Sequence, residues 1–225
     1  MTTKNSRIQN RNYILVGSFT KESGRGPGQL GWYRFASNFC KGRLVLDVGC
    51  GLGKGLEILS LTASSVLGID KDRRLEKENI LIKDISDLAS KSIDTITAID
   101  VIEHVEYDLS FVEQLARVAR NQIIISTPNW TAGRCKWPYH IREYMPHELV
   151  NILKKYGKVS LFKGSPDGNK VFKVKYLNIY FVFNKWRVCP ILGIFAKCLN
   201  NLLPKKSRIN SHLCAMVEIK EQSHG

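Results

Sequence analysis

The sequence predicts a single α/β domain in three layers, and three observations carry that expectation. Strand-like apolar runs alternate with helix-like stretches from residue 44 to residue 127, the pattern of a largely parallel sheet covered on both faces. The first of these runs, Leu44-Val-Leu-Asp-Val48, is apolar almost throughout and passes directly into glycines at alternate positions, Gly49, Gly51, Gly53 and Gly55. That is a buried strand turning into a loop whose backbone can approach a ligand, with the free N–H groups of the next helix behind it. A last apolar strand, Leu213–Ile219, stands apart from the alternating part and needs pairing in the same sheet. A chain of 225 residues can bury one sizeable core, so nothing in its length requires a second domain.

The elements follow in order. Residues 17–31 are rich in Gly and Ser, and residues 1–29 read as a flexible segment that could lid the site. Leu30, Trp32, Tyr33, Phe35, Ala36 and Phe39 fall at the spacing of an amphipathic helix, which opens the domain proper at residue 30. The glycine loop is not a dinucleotide fingerprint: frames starting at Gly49, Gly51 or Gly53 place Lys54, Leu56 or Ile58 where G-x-G-x-x-G needs its third glycine. A pyrophosphate cofactor is therefore disfavoured. Leu56, Ile58, Leu59 and Leu61 fit a crossover helix, and Ser65–Asp70 a second strand ending in an acid. A carboxylate there, at the end of strand two, can accept both ribose hydroxyls of a nucleoside. Asn79–Ile85 is a third strand with Asp84 at its end, Asp94–Asp100 a fourth, residues 109–120 a helix and Gln122–Asn129 a fifth strand stopped by Pro128. A polar loop, Trp137-Pro-Tyr-His-Ile-Arg-Glu-Tyr144, precedes a helix over 146–156, and strand six lies within Val159–Lys163. His140 would face the open carboxyl edge of the sheet, where Arg142 and Glu143 either pair with each other or serve the site.

Four motifs in order carry a resemblance to class I S-adenosylmethionine-dependent methyltransferases. They are Asp47-Val-Gly-Cys-Gly-Leu-Gly53, Asp70, the acid and apolar residue Asp84-Ile85, and Asp100-Val-Ile-Glu-His104 with Ser126-Thr-Pro-Asn129 beyond it. The resemblance covers about residues 30–160 and again 213–220. It implies a Rossmann-like three-layer sandwich with a seven-stranded sheet of order 3-2-1-4-5-7-6 and strand 7 antiparallel. It further implies S-adenosylmethionine as cofactor, bound through Asp47, Gly49, Gly51, Gly53, Asp70, Asp84, Ile85 and Asp100. Trp32-Tyr-Arg-Phe-Ala36 and His140-Ile-Arg-Glu-Tyr144 resemble segments of O-methyltransferases from bacterial polysaccharide clusters, although Trp32 stands where those have Arg. Asp100, Glu103 and His104 resemble the E-x-x-E-H segment of ubiquinone-pathway O-methyltransferases, to which a divalent cation has been assigned. Asp100 replaces the first Glu here, and no metal is expected. His104 and His140, the histidines expected near the site, are the candidate catalytic groups, since an alcohol acceptor benefits from a base of near-neutral pKa.

These motifs sort the function classes. The base clamp of DNA adenine methyltransferases and the Pro-Cys nucleophile of RNA cytosine-C5 enzymes are both missing, so nucleic acid is disfavoured as a substrate. The reading is an enzyme that methylates a hydroxyl of a sugar or lipid-linked glycan. O-methylation of a polyprenylated phenol or quinol stands as the alternative, followed by a non-catalytic cofactor-binding or RNA-binding relative. Six cysteines stand singly without metal-ligand spacing, which fits a reducing compartment, and the polar amino terminus lacks a signal-peptide core; a cytoplasmic protein is expected.

Formal net charge is +14, and it is uneven: residues 1–150 carry 20 Lys+Arg against 17 Asp+Glu, residues 151–225 carry 14 against 3. Such a surface either meets something anionic or is simply a solvated basic face. The excess centres on an insertion at about 167–210, whose uncharged runs Tyr176–Asn184 and Val188–Ala196 are far shorter than the roughly 20 residues of a membrane-spanning helix. Basic and aromatic residues alternate in it. Peripheral contact with the anionic inner membrane face is the expectation there, against a segment that only closes the acceptor pocket.

Overall fold

The computed structural model describes residues 27–130, 139–165, 168, 170–174, 190–204, 208 and 212–220. In chain order these form α1 (Pro27–Ser37), β1 (Leu44–Val48), α2 (Lys54–Leu59), β2 (Ser65–Asp70), β3 (Ile80–Ile82), β4 (Ile93–Ile99), α3 (Asp108–Val118) and β5 (Ala119–Pro128). There follow α4 (Pro146–Leu153), β6 (Gly157–Gly164), β7 (Val171–Lys173), α5 (Pro190–Leu202) and β8 (His212–Ile219). The sheet has eight strands in the order β3-β2-β1-β4-β5-β8-β6-β7. Strands β1 to β5 pair in parallel, whereas β8 runs antiparallel between β5 and β6.

Alternation along each strand divides the core between the two faces of the sheet. Leu46, Ile96, Ile123, Ile125, Leu213, Ala215 and Val217 point to one face and meet Val112 and Leu115 of α3 and Leu149 and Leu153 of α4. Val45, Ile99, Ile124 and Cys214 point to the other and meet Trp32, Tyr33 and Ala36 of α1 and Leu59 of α2. Every one of these residues is buried, and each large apolar side chain contributes about 1.5–3 kcal/mol relative to exposure. Pro146 starts α4, where the Glu148 carboxylate accepts from the Met145 N–H at 2.8 Å, satisfying a donor that the first turn would otherwise leave open.

The expected seven-strand order holds with one addition. The short strand β7 pairs antiparallel with β6 at the sheet edge, in the stretch read from sequence as an insertion. Val171-Phe-Lys173 is too short to give a period-2 signal, which is why this strand was not anticipated. The insertion also contains α5; the remainder of 175–189 and residues 1–26 of the expected lid lie outside the described residues, while Pro27–Gln29 already belong to α1. Leu61, counted in the crossover helix from its spacing, stands 80% exposed beyond the end of α2. Strand β5 follows α3 directly from Ala119, so it begins before Gln122.

Candidate functional site

Strands β1, β2, β4 and β5 end on one edge of the sheet, and the chemistry-bearing residues gather there. At the end of β1 the loop turns through three glycines with positive φ: Gly49 (69°), Gly51 (57°) and Gly53 (83°). A side chain at Gly49 would strike Val101, whereas one at Gly51 would meet nothing within 4 Å, so the loop opens onto free space at Gly51. The Asp70 carboxylate fixes this loop, accepting from the Gly51 N–H at 3.0 Å and from the Asp72 N–H at 3.0 Å. The glycine loop and Asp70, read separately from sequence, thus stand together.

Asp47 lies beneath the loop and is fully buried. Its two oxygens accept from Tyr33 Oη at 2.7 Å and Thr97 Oγ1 at 2.7 Å, tying β1 to α1 and β4. Asp84 caps a single helical turn, accepting from the Ser86 N–H and hydroxyl and from Lys71 at 2.6 Å. Partial burial pushes its carboxyl up, but Lys71 and Ser86 outweigh that and hold it at about 2. Ile85 is buried in the core against the α3 face. Asp100, just past β4, adopts φ 54° and turns inward: it accepts from Ser126 Oγ at 2.6 Å and meets His212 Nε2 at 2.7 Å, with the His212 ring stacked on Trp32.

His104 and His140, the two candidate bases, come together with ring centroids 5.0 Å apart. His104 ends the 3-10 turn Ile102–His104, and the Glu103 carbonyl accepts from the Ile141 and Arg142 N–H groups at 2.8 and 3.2 Å, clamping the second loop against the first. His104 Nδ1 faces the Tyr139 carbonyl at 2.9 Å, and His140 Nδ1 faces Glu143 Oε1 at 2.9 Å. A carbonyl and a carboxylate can only accept, so both Nδ1 atoms carry the hydrogen; in the neutral rings Nε2 is then the basic atom. The ligand atoms of Glu103, His104 and His140 lie within 4.8 Å of one another and could also hold a cation. Anchoring of each histidine through its other nitrogen suits either use.

The partners of the second loop differ from the sequence reading. Arg142 does not pair with Glu143 but with Asp108 at 3.2 Å and Glu148 at 3.4 Å, stacked over Tyr144, while Glu143 turns to His140. His104 and His140 are also not the only histidines at this edge, since His212 at the start of β8 reaches Asp100. The i,i+3 spacing of His140 and Glu143 was a usable signal for the first contact; sequence spacing held none for the second.

The chain is similar to class I S-adenosylmethionine-dependent methyltransferases, over part of its length in sequence and over most of it in fold. Residues 46–125 match the family described as Methyltransferase domain. The chain is 30% identical over 139 residues to a protein of Mycobacterium tuberculosis named a probable S-adenosylmethionine-dependent methyltransferase, covering 54% of this chain and 51% of that one. It is 33% identical over 186 residues to the mitochondrial ubiquinone biosynthesis O-methyltransferase of Dictyostelium discoideum, covering 68% and 53%. The chain therefore spans about half the length of these curated relatives. In fold it is similar to a SAM-dependent methyltransferase from Archaeoglobus fulgidus, with a TM-score of 0.63 at 18% identity over 91% of this chain and 100% of that one. A cyclase, SpnF, also shares the fold at a TM-score of 0.55 and 14% identity, over 88% and 84%. Architecture alone does not select a reaction.

Proposed function

We propose that this chain transfers the methyl group of S-adenosylmethionine to a hydroxyl of a sugar or lipid-linked glycan. The observation that carries the reading is the His140–Glu143 pair beside His104, placed at the edge where the glycine loop and Asp70 also stand. The residues present fit the cofactor: the space above Gly51 would receive its methionine end and Asp70 its ribose. When bound, S-adenosylmethionine supplies a methyl carbon already activated by a sulfonium, whose bonding electrons return to sulfur on transfer.

What remains for the protein is to align the acceptor oxygen, exclude water and remove one proton. Glu143, nearly buried, sets the His140 tautomer and stabilises the imidazolium that forms when Nε2 takes the hydroxyl proton. His104 borders the same space and orients the acceptor.

O-methylation of a polyprenylated phenol or quinol is the second reading, favoured by the similarity to ubiquinone biosynthesis O-methyltransferases and by the Glu103-His104 pair. The test is formation of S-adenosylhomocysteine by purified protein given glycan, lipid-linked glycan and quinol fractions. Turnover with a glycan fraction supports the proposal; turnover confined to quinols moves the assignment to the second reading. Absence of turnover with every fraction, despite cofactor binding, points to a non-catalytic relative. His140→Ala should lower kcat by about 10² with cofactor affinity unchanged, and Glu143→Gln by less.

A further inference from the structure

Helix α5 wears its hydrophobic side outward. Ile191 (80%), Ile194 (69%), Phe195 (58%) and Leu202 (81%) are exposed, while Asn200 is buried. At about 100° per residue those four apolar residues fall within one arc of roughly 100° and Asn200 falls opposite it. Spacing therefore makes a continuous apolar stripe of the solvent side, where a helix packed on a core would carry charge. The helix has 13 residues, and no described helix is long and apolar enough to cross a membrane. A stripe of this length can lie in an interface plane but cannot span one.

We propose that α5 docks the protein on an anionic lipid membrane, which presents a lipid-linked acceptor to the site. The choice of membrane rests on charge as well as hydrophobicity: the part of the sequence that contains α5, residues 151–225, holds 14 Lys+Arg against 3 Asp+Glu, a balance that favours anionic headgroups. The link to the site is structural. Past the carboxyl end of α5, the Arg208 side chain donates to the Asn201 carbonyl at 2.7 Å and the Leu203 carbonyl at 2.9 Å, and the Arg208 carbonyl accepts from Lys163 Nζ at 2.6 Å. Lys163 precedes Gly164, which pairs with His212, the residue that meets Asp100 beside the candidate site. The carboxyl end of α5 is thus tethered to the edge of the sheet that carries the candidate site. Only the nature of the acceptor depends on the O-methylation reading; membrane docking stands by itself.

The test is flotation of the full chain with vesicles of phosphatidylcholine and phosphatidylglycerol, compared with phosphatidylcholine alone, at low and high salt. The wild type should float with the mixed vesicles at low salt and lose most binding in either control. Ile191→Glu combined with Phe195→Glu should reduce the bound fraction at least about tenfold, while calorimetry with S-adenosylhomocysteine shows an unchanged site. A wild type that stays unbound at low salt, or a double variant that floats equally, overturns the proposal. So does a wild-type dimer that the double variant converts to monomer without lipid, because the stripe then faces a second copy. Flotation as expected without methyl transfer to any lipid extract leaves the docking intact and removes the acceptor reading alone.

Discussion

Replacing Asp70 with alanine separates two roles that its carboxylate combines. In the structure Asp70 accepts from the Gly51 and Asp72 N–H groups, both at 3.0 Å, so it pins the glycine loop before any cofactor arrives. Two such bonds at a half-buried position are worth together about 1–3 kcal/mol of stability. For a domain of this size that lowers Tm by about 2–4 °C per kcal/mol, hence by roughly 2–12 °C. Leaving the ribose hydroxyls without their acceptor in a closed site costs another 1–3 kcal/mol or so of cofactor binding. Calorimetry with S-adenosylhomocysteine should then show Kd raised about 5- to 150-fold. A Tm that falls while Kd stays at the wild-type value would refute the ribose assignment and leave Asp70 as a loop anchor only.

Other positions yield sharper separations of binding from stability. Gly51→Val places a branched side chain in the open space above the loop at φ 57°, so calorimetry should detect no cofactor binding while the sheet still melts cooperatively; an unaltered isotherm would contradict that geometry. Gly55→Ala drives a Cβ into the Tyr33 ring and must displace the hydroxyl bonded to Asp47, lowering stability by about 1–3 kcal/mol in denaturant melts. Tyr33→Phe, which removes only that hydrogen bond, should lose less than Gly55→Ala; a larger loss would argue against the clash. Burial pulls the Lys163 ammonium from 10.5 down to about 8, so between those values the unfolded chain holds more protons than the folded one. The cost of burying the charge is fully present below pH 8 and fades towards pH 10.5, and wild type should gain stability relative to Lys163→Met over that range. A difference that stays flat from pH 7.5 to 10 would contradict the burial.

Much of the fold was legible in the chain because it is written in local period. The apolar run at 44–48, the glycines after it, the strand ending at Asp70 and the apolar run at 213–219 need no knowledge of distant neighbours, since a strand buried on both faces must be apolar wherever it pairs. The position of Asp70 was legible for the same reason: the end of the second strand in such a sheet lies beside the end of the first, and the Gly51 contact follows. The additional strand β7 was not legible, because so short an edge strand is stabilised by its pairing with β6 and not by its own composition.

Partnership, in contrast, was decided by tertiary structure. The sequence nominated His104 and His140 one by one, but their approach depends on the Glu103 carbonyl holding the 141–142 backbone. It offered Arg142 and Glu143 as a pair, and the fold separates them: Asp108 on α3 and Glu148 on α4 present two carboxylates to Arg142, which leaves Glu143 to His140. Asp100 sits at the carboxyl edge as its motif implied, yet a positive φ aims its carboxylate inward at Ser126 and His212, from strands that come later in the chain. Apolar period records which face of an element is buried, and glycine records where the backbone must bend. Neither records which charged groups will meet when elements distant in sequence are brought to one edge of a sheet, because that depends on strand order and the direction of each side chain. The outward stripe of α5 belongs to the same category: the sequence showed an uncharged run there, and only the structure showed a helix and which of its sides faces out.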